Sequence, residues 1–204
     1  MNTHAERFVL LGVLGLFLMM PAVTGSPYGL GSEANQGCLC HTQVDSVSVQ
    51  LAGLPDGYEA NTTYALTLTV TSDVAQEQNE SQGGFRLTAS NGTFEFNDSE
   101  IQYLDGGWTH RLNGTYQRVW NLSWISPSDT SSRTDFVING NAVNGNGDTS
   151  GDAWGTASYA IAGIDFDGDL MPSEGINGLD PGDRILLLVA LVGIVALLWT
   201  TSKK

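Results

Sequence analysis

Lysine is nearly missing from this chain. Its 204 residues carry eight basic side chains against 22 acidic ones, and the lysines, Lys203 and Lys204, are the last two residues. Between Ser26 and Arg184 stand 21 acids and five arginines, a net charge of −16. An exterior of that sign repels phosphate backbones, which excludes nucleic acid as a partner. Cysteine is scarce as well: two residues cannot build a disulfide-dense scaffold. Histidine is limited to His4, His41 and His110. The common catalytic signatures are also absent: there is no G-x-S-x-G, H-E-x-x-H, Walker loop or helix-opening G-x-G-x-x-G. Nothing in the chain therefore announces an enzyme. What is present in quantity is apolar side chain, 41% of residues, enough for a packed core and too much for wholesale disorder.

Part of that apolar content lies in two blocks at the ends. Phe8 to Met20 follows a short polar start containing Arg7, and Pro21 to Gly25 supplies a helix breaker and small residues. That order of features predicts a signal peptide over 1–25. The second block, Ile185 to Trp199, is apolar on every face and is closed by Lys203 and Lys204. At the helical rise its fifteen residues span about 22 Å, and inclusion of Thr200 and Thr201 brings it to the lower limit for a membrane span. The spacing predicts a transmembrane helix over 185–201 and a basic cytoplasmic tail over 202–204, with the rest outside the cell membrane. A removable sorting tail is the alternative for so short a block. On an exported chain the six N-x-S/T sites at Asn61, Asn79, Asn91, Asn97, Asn113 and Asn121 become candidate glycosylation points.

Between the blocks the pattern has period two. Val47, Val49 and Leu51 share one parity, as do Tyr64, Leu66, Leu68 and Val70; Phe85, Leu87 and Ala89; Phe94 and Phe96; Trp120, Leu122 and Trp124; and Phe136 and Ile138. Alternation rich in β-branched and aromatic residues marks half-buried strands. The stretches Gly53 to Gly57, Asn91-Gly92, Asp105-Gly106-Gly107 and Asn113-Gly114 mark turns between them. The expected fold class is all-β: an immunoglobulin-like antiparallel β-sandwich over 44–162 with the two terminal helices added. Leu66, Leu68, Phe85, Leu87, Trp120, Leu122, Trp124, Phe136 and Ile138 are its expected inward set. An N-terminal segment over 26–43 precedes the sandwich and an acidic linker over 163–184 follows it. Asn139 to Asp152, rich in Gly, Asn and Asp, reads as a flexible connection whose oxygens are also suited to calcium.

Cys38, Cys40 and His41 form the one cluster of soft ligands. Two thiolates and an imidazole suit copper or zinc, and His110, the other histidine outside the leader, would complete a four-coordinate shell. A Cys38–Cys40 disulfide and an exposed turn histidine at 110 are the plainer alternatives. Asp165, Asp167 and Asp169 place carboxylates at alternate positions, like the start of a calcium loop, although Ile176 stands where such a loop closes with Glu. A solvated acidic spacer is the alternative there.

Several motifs in this order resemble the choice-of-anchor V family, a prokaryotic surface domain related to the Reelin (Reeler) domain. They are Gly37-Cys38-Leu39-Cys40-His41, the turn Gly53 to Tyr58, Tyr64 to Val70, Gly84 to Ala89, Trp108-Thr109-His110, Trp124 to Pro127, Gly140 to Gly147 and Gly151-Asp152. The resemblance covers about residues 30 to 160. It implies an exported sandwich held at the surface by one of several interchangeable anchors. It also implies haem as a further occupant of the cysteine motif, because the family commonly shows C-x-x-C-H there. This chain has C-x-C-H instead, which changes the sulfur spacing. The expected function is cell-surface recognition or a structural role, with an unknown surface protein or glycan as partner. The alternative is an extracytoplasmic redox or metal-binding protein using Cys38, Cys40, His41 and His110.

Overall fold

A computed structural model describes residues 26–38, 41–168, 170 and 185–192. The expected signal peptide over 1–25, Cys40, Asp169, most of the acidic linker and the apolar block beyond residue 192 lie outside the described residues. The chain divides into two units, Met1–Phe166 and Asp167–Lys204. In the second, residues 185–192 are helical and exposed. Among the described residues no helix is long and apolar enough to cross a membrane.

The first unit is built of strands. In chain order these are β1 (Thr42–Gln43), β2 (Ser48–Ala52), β3 (Thr63–Thr71), β4 (Gly83–Ala89), β5 (Thr93–Phe96), β6 (Ile101–Leu104), β7 (Gly107–His110), β8 (Val119–Ile125), β9 (Arg133–Ala142) and β10 (Ala153–Ala162). They form a six-stranded sheet, β1-β10-β9-β4-β7-β6, and a four-stranded sheet, β2-β3-β8-β5. Every pairing is antiparallel except that of β1 with β10. The all-β, two-sheet expectation therefore holds.

Alternation decides which side chains fill the space between the sheets. All nine residues of the expected inward set are at most 4% exposed. Cross-strand pairs stack them: Leu66 opposite Leu122, Leu68 opposite Trp120 and Leu87 opposite Ile138. Trp124 sits among aromatic edges, its ring 5.1 Å from Phe136 at 81° and 5.5 Å from Tyr58 at 86°. Such edge-to-face pairs add about 0.5–1.5 kcal/mol each to the burial term. The indole N–H groups keep partners: Trp120 donates to Gly114 O and Trp124 to Asn91 O.

The structure departs from the sequence expectation at three places. Strands β6 and β7 are four residues each, too short to show periodicity, and join through Asp105 and Gly106, both with positive φ as a two-residue hairpin turn of type I′ requires. Strand β10 escaped notice because Ala, Gly and Ser dominate it and its middle is only half-buried. The connection expected over Asn139 to Asp152 is shorter, since residues 139–142 continue β9. The remainder closes on itself: Asn144, Asn146 and Asp148 each accept the backbone N–H two residues on. These are Asx turns, and they place the side-chain oxygens on local amides.

Candidate functional site

The outer face of the six-stranded sheet carries an unusual row of buried polar residues: Thr109 of β7 opposite Arg86 of β4, and Arg86 opposite Asn139 of β9. All three are at most 3% exposed. What buries them is the segment from Ser26 to Cys38, a strap laid across that face from the β6–β7 edge to β10. It begins where Leu30 N–H donates to Thr109 Oγ1 (3.1 Å). It then passes over Arg86, whose Nε donates to Asn35 Oδ1 (2.8 Å) and whose guanidinium also donates to the carbonyls of Leu30, Leu104 and Asp105. Asn139 Nδ2 donates to Ala34 O (2.7 Å) one strand further along. Gly37 lies flat on Trp154, where a Cβ would come within 2.2 Å of the indole. The strap ends by joining the sheet as β1. Burial pushes the Arg86 guanidinium below its ordinary pKa, while Glu33 and Asp105 act in the opposite sense.

His110 belongs to this scaffold. It lies in β7 and is 5% exposed, which corrects the expectation of an exposed turn histidine. Its Nδ1 accepts the Phe85 N–H at 3.1 Å, so Nε2 carries the proton in the neutral ring and stands 3.3 Å from Ser26 O. Burial pushes its pKa down, against smaller upward effects from its bonds to Phe85 and Ser26. Gly84 leaves room for the ring, because a Cβ there would meet it at 2.5 Å.

His41 is placed elsewhere. Its Nδ1 lies 3.1 Å from Asp152 Oδ2, and its carbonyl accepts Trp154 Nε1–H at 3.2 Å. Burial lowers its pKa and the Asp152 carboxylate opposes that shift. Asp152 Oδ1 is held by Asn144 N–H (3.0 Å). Cys38 is buried, and its carbonyl accepts the His41 N–H at 2.9 Å. Strands β10, β9 and β4 lie between β1, which follows His41, and β7, which holds His110. At about 4.8 Å per strand spacing that separates the two backbones by roughly 19 Å. The structure thus brings His41 together with Asp152, not with His110. His41 and His110 are therefore too far apart to share one mononuclear centre with bonds near 2 Å. Among the described residues no three His, Cys, Asp or Glu side chains gather to hold a metal.

The remaining candidates among the described residues are surface residues. Asp165 accepts a hydrogen bond from Thr130 Oγ1 and Asp167 is exposed. All six sequon asparagines are exposed. Two of them already donate through Nδ2, Asn91 to Arg133 O and Asn97 to Glu100 Oε1. Sequence reasoning missed Asp152 as the partner of His41, and it missed Arg86, Asn139 and Arg118 as buried anchors. Arg118 is 6% exposed and donates to the carbonyls of Gln82 and Val143. A polar residue on the solvent parity of a strand looks like surface until the strap covering it is known.

No family model matches the chain, and no curated protein matches it. Solved structures show likeness in outline. The Reeler domain of human F-spondin (fragment 1) aligns with a TM-score of 0.39 at 18% identity, over 60% of this chain and 91% of that one. The Reelin-N domain of F-spondin gives 0.40 at 18%, over 63% and 93%. The conjugate transposon protein from Bacteroides vulgatus gives 0.38 at 12%, over 64% and 95%.

Proposed function

We propose that the chain is a Reeler-like, immunoglobulin-type surface module, held at the cell membrane by its C-terminal segment and working outside by recognition or as a structural element. One observation carries this reading: the deeply buried ionisable groups Arg86, His110 and Arg118 are spent on backbone groups that fix the strap and the loops. Groups so engaged stabilise a scaffold and are not poised to exchange protons with a substrate. The net −16 between Ser26 and Arg184 and the exposure of all six sequon asparagines agree with a solvated, glycosylated exterior. Protease added to intact cells should remove the domain. Full protection of the domain until lysis contradicts the reading.

A second reading, an exterior metal or haem protein, is favoured by the His41–Asp152 contact. Carboxylates commonly orient the imidazoles that ligate metals through their other nitrogen. Cys38 and His41 share one backbone turn, while Cys40 lies outside the described residues. Were this the function, Asp152→Asn should weaken binding of zinc or copper about 10–100-fold.

A further inference from the structure

The four arginines among the described residues, Arg86, Arg111, Arg118 and Arg133, do unequal work. Arg86 and Arg118 are buried on backbone carbonyls, and Arg133 pairs with Asp135 at 3.2 Å. Arg111 is exposed. Its Nε donates to Ile101 O at 3.3 Å. Glu100 is close, since its carbonyl accepts the Arg111 N–H at 2.6 Å, yet its carboxylate serves the amides of Asn97 and Gln117. Among the described residues no carboxylate stands within ion-pair distance of Arg111. A cation left without a counter-charge on so acidic an exterior is available to something else.

Arg111 lines a recess of about 250 Å³ together with Tyr28, Ser99, Gln102, Leu112 and Asn113. The fold builds this recess from the start of the strap, strand β6 and the turn that follows β7. Gln102 Nε2 fixes its wall by donating to the carbonyls of Tyr28 and His110. Tyr28 is 69% exposed. Its ring offers a rigid apolar face with a polar tip, at small entropic cost.

The geometry points to a binding site for an acidic sugar: a single pyranose ring bearing one carboxylate. This rests on the exterior reading proposed above and deepens it. A guanidinium fork matches a carboxylate bidentately. The tyrosine face suits the C–H side of a sugar ring, and Gln102 Oε1 and Ser99 Oγ offer acceptors for ring hydroxyls, the Gln102 N–H groups and the Ser99 O–H being donated already within the protein. About 250 Å³ gives room for one ring against the wall, and because the recess is open the rest of a longer chain would extend into solvent. A long polyanion is disfavoured, because the surrounding acidity acts over a Debye length of about 8 Å while only one arginine faces the recess.

The test titrates the full chain in detergent micelles with methyl β-D-glucuronide and methyl β-D-glucoside, which differ by the carboxylate alone, using calorimetry. The glucuronide should bind at least tenfold tighter. Arg111→Gln should abolish that preference with no change in melting temperature, Arg111→Lys should retain part of it, and Tyr28→Ala should weaken both sugars. Equal binding of the two sugars, binding of neither, or an unchanged preference in Arg111→Gln overturns the proposal. Acetate binding as tightly as the glucuronide overturns the sugar assignment. So does glucuronide binding gained only in Asn113→Gln, which would show the chain's own glycan filling the recess. Failure here in a domain that protease still removes from intact cells leaves the exterior reading standing, whereas a protected domain defeats that reading itself.

Discussion

Replacing Arg86 by Met keeps most of the apolar stem and removes the charged fork that ties the strap to the sheet. Four donations are lost: to Asn35 Oδ1 (2.8 Å) and to the carbonyls of Leu30 (3.1 Å), Leu104 (2.6 Å) and Asp105 (2.8 Å). Hydrogen bonds from a charged donor contribute about 1.5–3 kcal/mol each. Leu104 and Asp105 belong to an exposed hairpin turn, where water can take over their carbonyls, so the four do not add in full. The Leu30 carbonyl and the Asn35 side chain have no such easy substitute while the strap stays down. The net loss should be about 3–5 kcal/mol, the worth of the two bonds that water does not replace. For a domain of this size that corresponds to a fall of roughly 10–15 °C in melting temperature. Arg86→Lys, with the charge but no fork, should lose about half as much. Denaturant unfolding at unchanged m-value measures both. A loss below 1 kcal/mol for Arg86→Met would refute the claim that the strap is anchored through this residue.

Three further outcomes follow from the packing. Trp124→Ala empties a fully buried site between the sheets and should cost about 3–5 kcal/mol by the same unfolding assay, with a cost under 1 kcal/mol removing Trp124 from the core. Gly84→Ala drives a methyl group against the His110 ring and should cost about 1–3 kcal/mol, whereas a neutral effect would mean the ring is free to move. His41 and His110 both have folded pKa values below 6.5, so the unfolded chain takes up protons first; their stabilising contribution is complete above about pH 6.5 and is lost as pH falls below it. A melting temperature that stays flat from pH 7 to pH 5 would contradict the neutral buried imidazoles.

The alternation in the sequence was sufficient to place β2, β3, β4, β5, β8 and β9 and to orient their side chains, because a strand with one buried face must repeat with period two. It was silent on β10, where Ala157, Ser158 and Ala160 give no contrast between faces, and on β6 and β7, which the Asp105-Gly106 turn signalled without revealing the strands beside it. The polar residues on the outer face misled for a different reason. Arg86 and Asn139 sit at solvent parity, and their burial depends on a strap more than fifty residues away in sequence, beyond the reach of local pattern. His110 drew attention as a ligand because it adjoins Trp108 and Thr109 in a motif, yet its nitrogens answer to Phe85 and Ser26. Asp152 went unpaired with His41 because a whole domain separates them in sequence.

The central proposal is that the chain works by recognition or as a structural element outside the cell, and not through a metal or haem centre. An absorption spectrum with metal analysis of the purified full chain tests it most directly. The account predicts absorbance from the aromatic residues alone, no Soret band, and copper and zinc well below one equivalent. A Soret band, or one equivalent of either metal that is lost in His41→Ala while the domain stays folded, would contradict it.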